Sequence, residues 1–101
     1  MKKAFDYVDE KFEDLIKELQ EICRQPSVAA QNLGMEETAK MIVNKMDSLG
    51  IDCKVFPLEG GFPVIYGELK GESDKTLMFY NHYDVQPPEP LEKWTSPPFG
   101  R

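Results

Sequence analysis

The spacing of apolar residues changes from three-and-four to two partway along the chain, and that switch constrains the fold more than any other feature. In residues 5–23 the apolar side chains fall at Phe5, Val8, Phe12, Leu15, Ile16, Leu19, Ile22 and Cys23. These steps draw one stripe down a helix, and Asp9, Lys11, Glu13, Asp14, Lys17 and Glu18 take the other side. Pro26 stops that helix, because proline lacks a backbone donor and disfavours helical geometry in the residue before it. Residues 27–34 then read as a loop.

A second helical stripe, Met35, Ala39, Ile42, Met46 and Leu49, closes on Gly50, the residue best suited to the left-handed turn at a helix end. Beyond it the period is two. Ile51, Cys53 and Val55 alternate with Asp52 and Lys54, the pattern of a strand with one buried face. Gly60, Gly61 and Pro63 break it, and a second strand is expected over residues 64–69 and a third over residues 76–80. The third has no polar alternation, so both its faces are expected to be covered by helices. The expected class is therefore α/β: two amino-terminal helices followed by three strands, an incomplete part of a larger helix-flanked sheet. Pro87, Pro88, Pro90, Pro97 and Pro98 make the last part of the chain an irregular loop.

A length of 101 residues allows one small domain, within the usual ~100 to 200 residues per domain. A formal charge of -6, with Lys and Arg scattered, argues against nucleic acid as a partner. No run of ~18 apolar residues exists to span a membrane, and Lys2 and Lys3 are followed by acidic residues instead of a signal-peptide core, so a cytoplasmic location is expected. Cys23 and Cys53 lack CxxC spacing and read as two buried thiols. Gly60 and Gly61 lack the context of a phosphate-binding loop and read as a turn. Glu36 and Glu37 suit the first turn of the second helix, where the helix dipole favours negative charge.

His82 is the chain's one histidine, and it stands just past the third expected strand, where ligand sites of open α/β sheets gather. Asp84 lies two residues on, so in extended backbone both side chains project to the same side. A carboxylate there can hold one imidazole nitrogen while the other faces a metal. Alone, such a pair is more often a structural hydrogen bond than a metal site. Its surroundings are more specific. The stretch from Asn81 through His82, Tyr83, Asp84, Val85, Gln86, Pro87 and Pro88, followed by Trp94 and then Pro97, Pro98 and Phe99, closely resembles the M20 metallopeptidase signature. Its wording is most similar to the dipeptidase branch. Pro26-Ser27 and Leu49-Gly50 extend the resemblance over nearly the whole chain, while Asn81 departs from the small residue that usually precedes the histidine.

The resemblance implies that residues 1–101 are the amino-terminal portion of an M20-type catalytic domain, without the dimerisation or lid domain. It implies that His82 binds one of two zinc ions and that Asp84 holds His82 and tunes the catalytic site. The family's bridging aspartate, general-base glutamate, further carboxylates and second histidine lie downstream of this region, so only one zinc ligand is expected here. The implied activity is hydrolysis of the amide bond of dipeptides or small peptides by metal-activated water, in a homodimeric parent, with the 101-residue chain inactive alone. A deacylase of N-acyl amino acids from the same family and a non-catalytic binding module are the alternative readings. Trp94 and Phe99 read as aromatic anchors for the proline-rich loop.

Overall fold

A computed structural model describes residues 1–100, which leaves residue 101 of the expected 1–101 portion outside the description. The chain divides into two compact units, Met1–Gln25 with the chain from Pro90 onward, and Pro26–Glu89.

In the first unit, helix α1 spans Lys2–Arg24 and ends where Gln25 turns to extended backbone ahead of Pro26. Its stripe is as regular as the sequence implies, yet no residue of α1 is buried. Phe5, Phe12 and Leu19 are all more than half exposed. Cys23, expected to be buried, is exposed for the same reason: it belongs to an uncovered stripe. From Pro90 the chain makes a short 3-10 turn, Leu91–Lys93, and then runs irregularly. Trp94 is 49% exposed, so it is not the buried anchor expected of it, whereas Phe99 is half-buried.

The second unit holds a small core of Val28, Met35 and Ala39, with Ser27 and Thr38 buried beside them. The loop before the second helix is more ordered than its sequence suggests. Val28 and Leu33 exchange backbone hydrogen bonds around a 3-10 turn at Ala29–Gln31, and Asn32 takes the left-handed conformation that closes it. Helix α2 follows over Met35–Ser48, with Glu36 and Glu37 in its first turn. Thr38 Oγ1 donates to the carbonyl of Gly34 at 2.8 Å and also lies 3.3 Å from that of Pro26, tying the incoming chain to the helix. At its other end Gly50 has a φ of 72°, its N–H bonds Asp47 O, and the N–H of Ile51 bonds Met46 O. That pair of bonds is a Schellman motif, and it turns the chain directly into the first strand.

Strands β1 (Asp52–Phe56) and β2 (Val64–Glu68) form an antiparallel pair, with Cys53 opposite Gly67 and Val55 opposite Ile65. Phe56 and Tyr66, diagonal neighbours in that register, meet edge to face with ring centroids 6.5 Å apart. Helix α2 packs on both strands. The α/β class stands, with one correction to the strand count. Residues 76–80 make no ladder with any described residue, and Leu77, Met78, Phe79 and Tyr80 are 79 to 83% exposed instead of covered on both faces. A strand exists only where a neighbour supplies its hydrogen bonds, and none of the described strands runs beside this segment.

Candidate metal centre

Residues 81–90 carry no regular structure, so whatever orders the His82 loop must come from individual bonds. Two such bonds flank Asp84, one on each side. The hydroxyl of Tyr83 donates to the carbonyl of Pro63 at 2.6 Å, and the N–H of Val85 donates to the carbonyl of Ser27 at 2.8 Å. Both acceptors are backbone atoms of the second unit's body. Pro63 directly precedes β2, and Ser27 is 5% exposed beside the fully buried Val28. Burial, and next the charge of Asp84, push the Tyr83 hydroxyl above its ordinary pKa and keep it the donor this bond requires.

His82 and Asp84 project to the same side, as their spacing implies. The Nδ1 atom of His82 lies 3.1 Å from Asp84 Oδ1 and 3.0 Å from the backbone carbonyl oxygen of Asp84. Both neighbours are acceptors, so Nδ1 carries the proton. In the neutral ring Nε2 then keeps its lone pair, and with the His82 side chain 76% exposed that lone pair is accessible. A protonated Nδ1 backed by a carboxylate, with Nε2 free to coordinate, is the arrangement of a metal-ligating histidine.

The donor set therefore fits zinc as a single first contact. No group of three or more His, Cys, Asp and Glu side chains able to hold a metal occurs among the described residues. A catalytic zinc takes about three protein ligands, so the remainder would have to come from outside residues 1–100. Asp84 stands behind the histidine and is 46% exposed at its side chain. An open depression of about 310 Å³ lies elsewhere in this unit, between α2 and the hairpin, lined by Ala39, Val43, Val55 and Pro63 among others. Glu36, Lys40 and Asn44 also line it, and neither His82 nor Asp84 does.

The sequence pointed to His82 and Asp84 but not to their supports. Alternation of side chains around His82 and Asp84 sends Tyr83 the opposite way, and that was the signal available for it. Ser27 and Pro63 act through backbone carbonyls, which no side-chain pattern announces.

No family model matches the chain. Among curated proteins, succinyl-diaminopimelate desuccinylase of Burkholderia pseudomallei (strain 668) is 34% identical over 62 residues, 59% of this chain and 16% of that protein. The desuccinylase of Burkholderia mallei (strain SAVP1) matches with the same identity and coverage. Among solved structures, an M20 family metallo-carboxypeptidase of Sulfolobus solfataricus superposes with a TM-score of 0.79 and 36% identity, covering 84% of this chain and 20% of that one. The chain thus spans a fifth or less of the length of these relatives.

Proposed function

We propose, from the premise that the chain belongs to the M20 metallopeptidase family, that residues 1–101 are the amino-terminal portion of the catalytic domain of a longer metal-dependent hydrolase. Its reaction is cleavage of an amide bond in a small peptide-like substrate, with dipeptides as the substrate class. The observation that carries this is the pairing of His82 Nδ1 with Asp84 Oδ1 at 3.1 Å, which leaves Nε2 as an accessible ligand. In this reading His82 is one ligand of a zinc ion and Asp84 is the carboxylate that fixes its tautomer and raises its basicity. Zinc, when bound, supplies polarisation of the amide carbonyl and a lowered pKa for the attacking water.

His82 is not the proton acceptor in this reading, since its Nδ1 is occupied by Asp84 and its Nε2 would be the atom that holds the metal. Asp84 does not touch the substrate. It acts by holding the proton at His82 Nδ1, and the two anchored neighbours Tyr83 and Val85 hold Asp84. The general base and the remaining ligands belong to sequence beyond this segment, as do the contacts that make a homodimer. A cytoplasmic setting is part of the same proposal.

A second reading, removal of an acyl group from an N-acyl amino acid, is favoured by the desuccinylase similarity. The two differ in what lies on the acyl side of the scissile bond. The test is to capture the natural product with an antibody against residues 1–101, measure its mass and metal content, and assay it on dipeptides and on N-succinyl amino acids. A product several times longer, loaded with zinc and hydrolysing one of these classes only while His82 is intact, is the expected result. Wild-type zinc content and activity in His82→Ala would overturn the reading, and a product of 101 residues without hydrolase activity would leave a binding module in its place.

A further inference from the structure

We infer that Tyr83 is a positioning residue for the metal site, acting through the carbonyl of Pro63 to hold the His82 imidazole where a metal can use it. The inference rests on the proposed role of His82 as a metal ligand and adds to it a determinant of affinity that coordinates nothing itself.

The support is geometric. His82 and Asp84 are short of any secondary structure, and the five residues before Asn81 are unpaired and strongly exposed, so the amino-terminal approach to the loop gives it little restraint. At 2.6 Å, the bond from Tyr83 Oη to Pro63 O is at the short end for a hydroxyl donor, and it joins positions 20 residues apart in sequence. Its acceptor is well placed to be a fixed point, because the ring of Pro63 locks its φ and Val64 enters the β1–β2 ladder immediately after it. On the far side of Asp84, the bond from Val85 N–H to Ser27 O joins the loop to the buried end of the second unit.

The two bonds bracket Asp84, and Asp84 in turn holds His82 by two contacts at Nδ1. Tyr83 is the member of this chain that can be tested by removing one atom. Its hydroxyl is engaged with the carbonyl of Pro63, so loss of the hydroxyl deletes no ligand and no charge. What it deletes is the tie that limits how far the loop, and with it the imidazole, can wander. Sites of this kind need their ligands held to within ~0.5 Å, and loss of supporting contacts behind a ligand typically weakens metal binding ~10 to 100-fold.

The experiment is a competition titration of zinc against a chromophoric chelator, on the natural-length protein, for the wild type, Tyr83→Phe, Pro63→Gly and His82→Ala. The melting temperature is recorded for each with and without zinc. The expected result is a zinc dissociation constant raised roughly tenfold in Tyr83→Phe. The zinc-free melting temperature should stay close to wild type and the stabilisation by zinc should shrink. Pro63→Gly, which keeps the hydroxyl and its acceptor but frees the backbone that aims the acceptor, should weaken zinc binding in the same direction, and it decides the matter if Tyr83→Phe does not fold.

Zinc affinity within about twofold of wild type in these variants, while His82→Ala loses zinc, would overturn the positioning role and leave the ligand assignment intact. An equal fall in melting temperature with and without zinc, at unchanged affinity, would overturn it too, by making Tyr83 a packing residue only. Wild-type affinity in His82→Ala would instead remove the premise.

Discussion

The Nδ1 atom of His82 is shared between two oxygens of one residue, Asp84 Oδ1 at 3.1 Å and the Asp84 backbone carbonyl at 3.0 Å. Because one acceptor is main chain, the ring orientation follows the backbone of the loop and not only the rotamer of a side chain.

That double contact separates the effects of two substitutions. Asp84→Asn keeps the backbone acceptor but removes the negative charge, and its amide can present a donor to Nδ1. The zinc affinity of the natural-length protein should fall ~10 to 100-fold, less than the complete loss expected of His82→Ala, as measured by chelator competition. Equal losses in both variants would mean that Asp84 is itself a ligand.

The hairpin makes a steric prediction independent of the metal. A Cβ at Gly67 would stand 2.8 Å from Ile51 Cγ2 and 2.9 Å from Met46 Sδ, both closer than real Cβ contacts allow. Met46 can move its flexible thioether, but Ile51 sits at the end of the Schellman turn with a branched side chain of restricted rotamers. Gly67→Ala should therefore destabilise the fold by ~1 to 3 kcal/mol, the usual cost of overpacking, visible as a lower urea midpoint at unchanged slope. A wild-type midpoint would show that β2 can shift away from α2 at no cost.

Both helices and the first two strands were legible because their determinants are local: the stripes, Pro26, Gly50 and the Gly60 to Pro63 break all act within a few residues, whereas the antiparallel pairing of those strands came from the structure. The third expected strand was not, because an apolar run reports a preference for extended backbone and says nothing of where a ladder partner is. Cys23 failed for the same reason, since a stripe shows which side of a helix seeks cover without supplying the cover. Of the site, the His82 and Asp84 pairing follows from a spacing of two, whereas Ser27 and Pro63 entered it through carbonyl oxygens that every residue possesses.

The pH response of the hairpin can be predicted from Tyr66. Its hydroxyl donates to Glu68 Oε2 at 3.1 Å, and that bond, with the charge of Glu68 next, raises the Tyr66 pKa above its ordinary value of 10.0. A group whose folded pKa is raised contributes stability that is fully present below its unfolded pKa and is lost as pH rises through the folded one. Stability should thus hold up to about pH 10 and decline above it. In an absorbance titration of phenolate, Glu68→Gln should move one of the four tyrosines to lower pH. An unchanged titration would mean the bond does not persist in solution.

The exposed run at residues 77–80 predicts how the 101-residue segment behaves by itself. Leu77, Met78, Phe79 and Tyr80 are 79 to 83% exposed, and their backbone donors and acceptors find no ladder among the described residues. An apolar, strand-prone stretch with open hydrogen-bonding groups is a template for pairing with another copy. The isolated segment should self-associate at micromolar concentration in sedimentation velocity. Met78→Lys combined with Tyr80→Lys, which charges one side of the run, should return it toward monomer. In the natural-length protein the same double substitution should instead lower stability, because the run is expected there to lie inside a sheet. A segment that stays monomeric at high concentration, paired with a natural product indifferent to the lysines, would mean that residues 77–80 form no strand in either context.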